Sequence, residues 1–402
     1  MVHLFLTKEV NKGFIMAPSF QDYLSNIKSS IREISVHDLQ TQLQSAEPPV
    51  VIDIREPDEV ANGVIPGSEV VPRGFLELRI EGLIPERNRS VAVYCAGGTR
   101  SALAVQAIQA LGYAQAVSVA GGLGAWSRAG FPLEQRKQMT MEQRSRYARQ
   151  IILPQLGEEG QQKLLDARVL CVGAGGLGSP TALYLAAAGV GTLGIIDNDK
   201  ADLSNLQRQI LHTEESVGTP KVDSARQTLE RLNSDIRIET HDTRLDSSNV
   251  MEIFKNYDVV VDGTDNFPTR YLINDACVFL GLPNVHGSIF HFDGQVTVFN
   301  APGGGPCYRC LYPEPPPPEL APSCAEAGVL GAVCGVVGTL QAVETMKLIV
   351  GVGELLAGRV LAIDGMQMSF RELRSRRDPS CPVCSENPTI TELIDYEQFC
   401  SL

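Results

Sequence analysis

Positive charge is in short supply in this chain. Its 34 Lys and Arg stand against 47 Asp and Glu, a formal net charge of −13 at pH 7. The shortfall is uneven: residues 1–137 carry 13 basic and 14 acidic side chains, and the rest carry 21 and 33, so the two parts hold −1 and −12. A main body this acidic argues against nucleic acid and against anionic membrane as partners, because both require a basic face. Any anionic ligand must be met by a local basic pocket. A secretory leader is also missing: "LFL" at 4–6 is too short for its apolar segment, and no small-residue cleavage site follows. Met16 is a candidate start, which leaves residues 1–15 as an extension. Long apolar runs are scarce. The longest, "AGVLGAVCGVVGTLQAV" at 327–343, is Gly-rich, contains Thr339 and Gln341, and lies between Glu326 and Glu344, so it reads as a buried helix rather than a membrane span. Internal repeats are absent. His212, His241, His286 and His291 stand at no metal-ligand spacing. Ten cysteines without a leader suggest a reducing compartment, the cytoplasm, where thiols serve as metal ligands, catalysts or core residues rather than disulfides.

What is present is two α/β-patterned halves. In the first, about 30–135, "VVIDIR" (50–55), "SVAVYC" (90–95) and "AVSVAGG" (116–122) are short β-rich runs, and "TRSALAVQAIQALG" (99–112) is an amphipathic helix ending in glycine. Residues 1–29 read as a tail, and the polar stretch 133–140 as a linker. Thr140 and Gln143 then open a helix with a capping box. In the second half, 136–402, "RVLCVG", "TLGIIDND", "IRIETHD", "DVVVDGTD" and "PNVHGS" alternate with helical patterns, which predicts a mostly parallel, doubly wound sheet with helices on both faces. "PEPPPPELAP" (313–322) can be neither helix nor central strand and reads as an extended surface crossing.

The first candidate site is "YCAGGTRSA" (94–102), which places Cys95 between a strand and a helix in a loop of small residues. Such a loop can turn its backbone N–H groups around one atom. Those donors, a helix N-terminus and the charge of Arg100 favour a thiolate. The motifs "DIREPDE" (53–59), "GVIPGS" (63–68), "CAGGTRS" (95–101) and "GGLGAWSRAGFP" (121–132), in that order, make this half similar to rhodanese domains. The resemblance implies a small parallel sheet with helices, Cys95 as the sulfur-accepting nucleophile, and Arg100 with the loop amides holding the donor or persulfide. Asp53 and Arg55 look structural. Val64 stands where the family often has histidine. Four residues separate Cys95 from Arg100, a loop that fits one sulfur atom better than a phosphate.

The second site is "GAGGLGS" (173–179), a G-x-G-x-x-G turn after a strand, with Asp197 nineteen residues beyond Gly178. Taken alone, this suits NAD. The following residues favour another phosphate: "SNLQRQ" brings Asn205, Arg208 and Gln209, "GTPKV" brings Lys221, and "DGTDN" brings Asp265, all at strand ends. Two carboxylates with Arg and Lys suit a triphosphate with magnesium. Together with "RYARQIILP", "DNDKADLSNLQRQ", "DGTDNFPTR", "GQVTVF", "CYRCLYPEPP" and "SCAEAGVLG", this block (about 140–385) resembles the bacterial adenylyltransferases that activate ubiquitin-like sulfur carriers for molybdopterin synthase and thiamine synthesis, relatives of the ubiquitin-activating enzymes. The resemblance implies a Rossmann-like fold that binds ATP. Gly173, Gly175 and Gly176 belong to the phosphate turn, and Asp197 holds the ribose. Asn205, Arg208 and Lys221 contact phosphates, and Asp265 serves magnesium and the reacting carboxylate. Arg149 of "RYARQ" implies a homodimer, since it reaches the γ-phosphate bound by the second copy.

Two CxxC pairs, Cys307/Cys310 and Cys381/Cys384, can supply the four corners of a structural zinc site that pins the C-terminal part, with a redox CxxC pair as the rival reading. Cys324, after the proline run, matches a cysteine that some members of the family use in sulfur transfer; otherwise it is a small loop residue. The combined expectation is adenylation of the C-terminal Gly-Gly of a small β-grasp carrier, then transfer of sulfur from Cys95, loaded by a cysteine desulfurase or thiosulfate, to give a thiocarboxylate. The alternatives are a rhodanese part that serves only for docking, and a dehydrogenase. In the better-known fusions of this kind the rhodanese part follows the adenylating one; here it comes first.

Overall fold

Short runs rich in Val and Ile become the central strands of two sheets. The computed structural model describes residues 19–135, 139–316 and 328–400. The chain divides into two compact units, Met1–Gln138 and Met139–Leu402, and the division falls inside the polar stretch 133–140.

In the first unit the strands are β1 (Glu33–Ile34), β2 (Val50–Asp53), β3 (Glu69–Val70), β4 (Val91–Tyr94) and β5 (Ala116–Val119). They lie in the order β1-β5-β4-β2-β3, and every neighbouring pair is parallel. All four residues of β4 are buried, as expected of a strand covered on both faces. Val91 and Val93 join Val105 and Ile108 of the helix Thr99–Ala110 on one face, while Ala92 and Tyr94 join Leu39 and Trp126 on the other. The stretch expected as a tail contains a helix, Phe20–Ser30, with Ser19 and Asp22 forming a capping box and Ile27 2% exposed. Its single buried side chain explains why hydrophobic periodicity does not reveal it.

The second unit holds β6 (Arg168–Val172), β7 (Thr192–Ile196), β8 (Arg237–His241), β9 (Val259–Asp262), β10 (Asn284–Phe290), β11 (Asp293–Phe299), β12 (Arg359–Asp364) and β13 (Ser369–Arg374). The order is β13-β12-β11-β10-β9-β6-β7-β8. The five strands from β10 to β8 are parallel, as the alternating pattern predicts. β11, β12 and β13 extend this parallel part antiparallel, so the whole sheet is mixed. The chain winds outward from β6 through β7 and β8, then returns to β9 on the other side of β6. In such sheets ligands bind at the carboxyl ends of the strands flanking this reversal. The apolar run near 327–343 falls largely in the helix Gly331–Val350. This helix has the length and hydropathy of a membrane span, yet it packs against the helix Gly178–Ala188 and against β10 and β11, with Val333, Val337, Gln341 and Ala342 buried.

Candidate functional sites: two glycine loops and a four-cysteine cluster

Cys95 follows β4 directly, and its thiol is turned inward, 1% exposed. The Gly98 amide donates to its Sγ at 3.1 Å, and Ser101 Oγ lies 3.7 Å away. Ser101 Oγ is in turn 3.0 Å from Ser118 Oγ on β5. Burial disfavours the thiolate, but the Ser101 amide and hydroxyl and the amides of Gly97 and Gly98 outweigh it, and the pKa falls below the ordinary thiol value. Gly122 backs the loop: a Cβ there would stand 2.1 Å from the Cys95 carbonyl oxygen, and its φ is +51°. The Leu123 amide donates to that same carbonyl at 2.9 Å. Arg100 makes a two-pronged ion pair with Glu59, 2.6 and 2.7 Å, that draws the Glu59 carboxyl down to about 2. Its charge is thus shared between Glu59 and the thiol. Asp53 and Arg55 are structural: both are buried, and the Arg55 guanidinium binds both Asp53 oxygens and the carbonyls of Glu59 and Gly63.

The second glycine loop opens at the end of β6. A Cβ on Gly178 would lie 1.8 Å from the Gly173 carbonyl, so only glycine lets the helix Gly178–Ala188 start this close to the strand. A cleft of about 330 Å³ lies between this turn and the ends of β7 and β9. Gly173, Gly175, Gly176, Asp197, Arg208, Lys221 and Asp265 all line it. Asp197 accepts from the amides of Ala174 and Asp199, both at 2.8 Å, tying the turn to the end of β7. Lys221, 6% exposed, is held 2.8 Å from Asp199 and 4.0 Å from Asp197, so a buried cation is already fixed beside the turn.

Two expected residues stand elsewhere. Asn205 ends a short 3-10 turn outside the cleft lining, and its carbonyl accepts from the amides of Arg208 and Gln209. Arg149 is exposed on the short helix Ala148–Ile151 and does not line the cleft. Cys324 lies outside the described residues.

The cleft also holds Thr243 and Arg244, which lie outside every motif, and Asn266, Thr269 and Arg270, which lie in "DGTDNFPTR" without a role of their own assigned to them. His212 lies below it, with Nε2 2.9 Å from the Ala174 carbonyl and Nδ1 2.9 Å from Ser224 Oγ. Burial lowers its pKa, so the ring is neutral: Nε2–H donates to the carbonyl, and the Ser224 hydroxyl donates to Nδ1. Asp262 and His286 form a second buried pair beneath the Asp265 loop. Neither histidine is marked by its sequence neighbours, because each acts through a contact between distant strands and helices.

The sulfurs of Cys307, Cys310, Cys381 and Cys384 lie within 4.8 Å of one another, with neighbouring pairs at 3.8, 3.6 and 3.4 Å. A tetrahedron with metal–sulfur bonds of about 2.3 Å has edges of roughly 3.8 Å, so the donors fit zinc in number, type and spacing. The two residues between the first pair are both buried. Arg309 reaches Asp275 at 2.8 and 2.9 Å, and Tyr308 packs edge-on against Tyr271. The cluster therefore joins the turn after β11 to the segment after β13.

The model of the ThiF family matches residues 147–383, which contain the cleft and all four cysteines. The chain belongs to the ThiF family. A rhodanese-like domain matches residues 35–129, around Cys95. The chain is 54% identical to the sulfur carrier protein adenylyltransferase of Thermus thermophilus, over an alignment of 267 residues covering 65% of this chain and 98% of that protein. It is 57% identical over 259 residues to the adenylyltransferase and sulfurtransferase MOCS3 of Culex quinquefasciatus, covering 64% of this chain and 59% of that protein, about three-fifths of its length. Among solved structures, Escherichia coli MccB with ATP is similar to this chain with a TM-score of 0.51 at 25% identity, covering 56% of this chain and 69% of that one.

Proposed function

We propose that the ThiF unit uses ATP to adenylate the C-terminal Gly-Gly carboxylate of a small ubiquitin-like sulfur carrier, and that Cys95 of the rhodanese unit then delivers sulfur to it. One observation carries the first step: Arg208, Lys221, Asp197 and Asp265 converge with the glycine turn on a single cleft at the strand-order reversal. A carboxylate has no leaving group at neutral pH, so the carboxylate oxygen attacks the α-phosphorus and pyrophosphate departs. The acyl carbon then carries AMP as leaving group. Lys221 and Arg208 offset the charge on the phosphates, Asp197 accepts from the ribose, and Asp265 would hold magnesium. Bound there, magnesium would supply positive charge to the triphosphate.

In the second step a Cys95 persulfide, loaded by a cysteine desulfurase or thiosulfate, attacks the acyl carbon through its terminal sulfur and AMP leaves. A thiol then reduces the resulting acyl disulfide, releasing the thiocarboxylate and becoming the partner in a new disulfide. The depressed Cys95 pKa supports this role. In this reading two chains pair, with Arg149 of one copy completing the cleft of the other. Zinc at the four cysteines pins the C-terminal segment and takes no part in the chemistry. The thiols require the cytoplasm, and the thiocarboxylate serves molybdopterin, thiamine or a related sulfur-transfer route. Exchange of labelled pyrophosphate into ATP, with magnesium and a Gly-Gly carrier, tests adenylation. Asp265→Ala should abolish it, and Arg208→Ala should slow it by about 100-fold, the scale of removing one preorganised charge-stabilising group. Exchange that needs no carrier, or full activity in Asp265→Ala, would overturn the reading.

A further inference from the structure

The loop bearing Asp265 rests on a buried polar pair that the chemistry above does not use. Asp262 ends β9 and His286 lies opposite it on β10, parallel and in register. They are 0% and 2% exposed. His286 Nδ1 stands 2.8 Å from Asp262 Oδ2. The other carboxylate oxygen accepts from the amide and the hydroxyl of Thr264, at 3.0 and 2.7 Å. The Asp262 carbonyl accepts from Gln341 of the long apolar helix at 2.8 Å. Three residues beyond Asp262, Asp265 enters the cleft. Arg270 fastens the loop from its other end, donating from two nitrogens to the Thr264 carbonyl at 3.2 and 2.8 Å.

A carboxylate sealed from water is costly unless each of its oxygens finds donors. Thr264 satisfies one oxygen of Asp262, and among the described residues His286 supplies the side-chain donor to the other. The imidazole is itself fixed by packing. Its ring meets Tyr308 edge-on at 5.3 Å and Phe299 at 5.6 Å. Tyr308 follows Cys307 and is anchored through its amide to Asn274 Oδ1 at 2.6 Å. A chain of contacts thus runs from the CxxC turn through Tyr308, His286 and Asp262 to Thr264 and the cleft wall.

We propose that His286 is a positioning residue for the adenylation site: its Nδ1–H orients Asp262, which fixes the Gly263–Asn266 loop and with it the Asp265 carboxylate. The inference rests on the adenylation reading, so its test includes a measurement independent of activity. In asparagine the side-chain amide nitrogen falls near the position of the imidazole Nδ1, so His286→Asn keeps the donor and His286→Leu removes it. In the full chain, His286→Leu should raise the hydrogen-exchange rate of the amides at 263–266 by at least about tenfold, the scale of a buried acceptor losing its donor. Turnover in pyrophosphate exchange should fall by a similar factor, with the KM for ATP within about twofold of the unaltered protein, because the phosphate-binding groups stay in place. His286→Asn should restore both readouts. Should His286→Leu not fold, Thr264→Val, which deletes only the hydroxyl donor, must raise the exchange of the same amides. Unchanged protection in a folded His286→Leu overturns the proposal, as does equal loss in the Leu and Asn variants. An unaltered protein with no pyrophosphate exchange contradicts the adenylation reading instead, while the amide protection still decides the role of His286.

Discussion

Cys95 follows the central parallel strand β4 and Cys171 lies within β6, and both are 1% exposed, yet their thiols differ in kind. Cys171 lies in the hydrophobic core, and burial pushes it up to about 12. Cys95 is held below the ordinary value by the amides and hydroxyl of its glycine loop. Because the thiolate is the reactive form, persulfidation of Cys95 by thiosulfate should reach its plateau at a lower pH than that of an ordinary thiol of pKa about 8.5. Ser101→Ala, which removes one stabilising donor, should move that midpoint up. A pH–rate profile followed by mass spectrometry of the Cys95 peptide checks both; a midpoint at or above the ordinary thiol value contradicts the loop's role. Cys95, Lys221 and Asp197 were legible in the sequence because each sits in a short motif whose spacing has a mechanical reason. Gly122, His212 and His286 were not. Gly122 matters because a Cβ there would meet the carbonyl of Cys95, 27 positions earlier in the chain. His212 matters because the turn it supports is 38 residues away.

Among the elements, the buried parallel strands were the most legible, since β4, β6, β7 and β9 are largely apolar runs and the last three of them stop at glycine or aspartate. The antiparallel edge was less so. β13 exposes Phe370 at 52% and Leu373 at 55%, a pattern that resembles a polar surface segment as much as a strand. The CxxC pairs were readable as metal ligands, but not the uses of the residues between them: Arg309 fills the space between Asp275 and the ring of Phe399, 4.7 Å from its centroid. Zinc should therefore tie two distant segments to one core. Elemental analysis should find about one zinc per chain, and Cys384→Ser should lower the unfolding temperature of the ThiF unit, because structural zinc binding is part of the folding free energy. Protein free of zinc whose four thiols are protected and whose stability matches the unaltered chain would contradict this. Acid should weaken the same unit before its carboxylates titrate. Burial lowers the pKa of His212 and His241 below the ordinary 6.5. The unfolded chain therefore binds protons that the folded chain refuses, so stability should fall as pH drops below about 6.5. Denaturant titrations at pH 7.5 and 5.5 read the difference, and His212→Gln should reduce it.

At the scale of the whole molecule, the chain joins a rhodanese-like unit to a ThiF unit, with the charge concentrated in the second: −12 of the total −13 lies beyond residue 137. The basic side chains the cleft needs are drawn into it from four places in the sequence, Arg208, Lys221, Arg244 and Arg270. An anionic nucleotide can thus be held by a protein of strongly negative net charge. We propose that the two units perform successive steps on one carrier. The most direct measurement is mass spectrometry of a Gly-Gly carrier incubated with the full chain, ATP, magnesium, a sulfane-sulfur donor and a thiol reductant, comparing the unaltered protein with Cys95→Ala. The unaltered protein should exchange one carboxylate oxygen of the carrier for sulfur. Cys95→Ala should still exchange pyrophosphate at the normal rate yet yield no thiocarboxylate until free sulfide is added in large excess. Thiocarboxylate formed by Cys95→Ala at the normal rate from the same donor would contradict it.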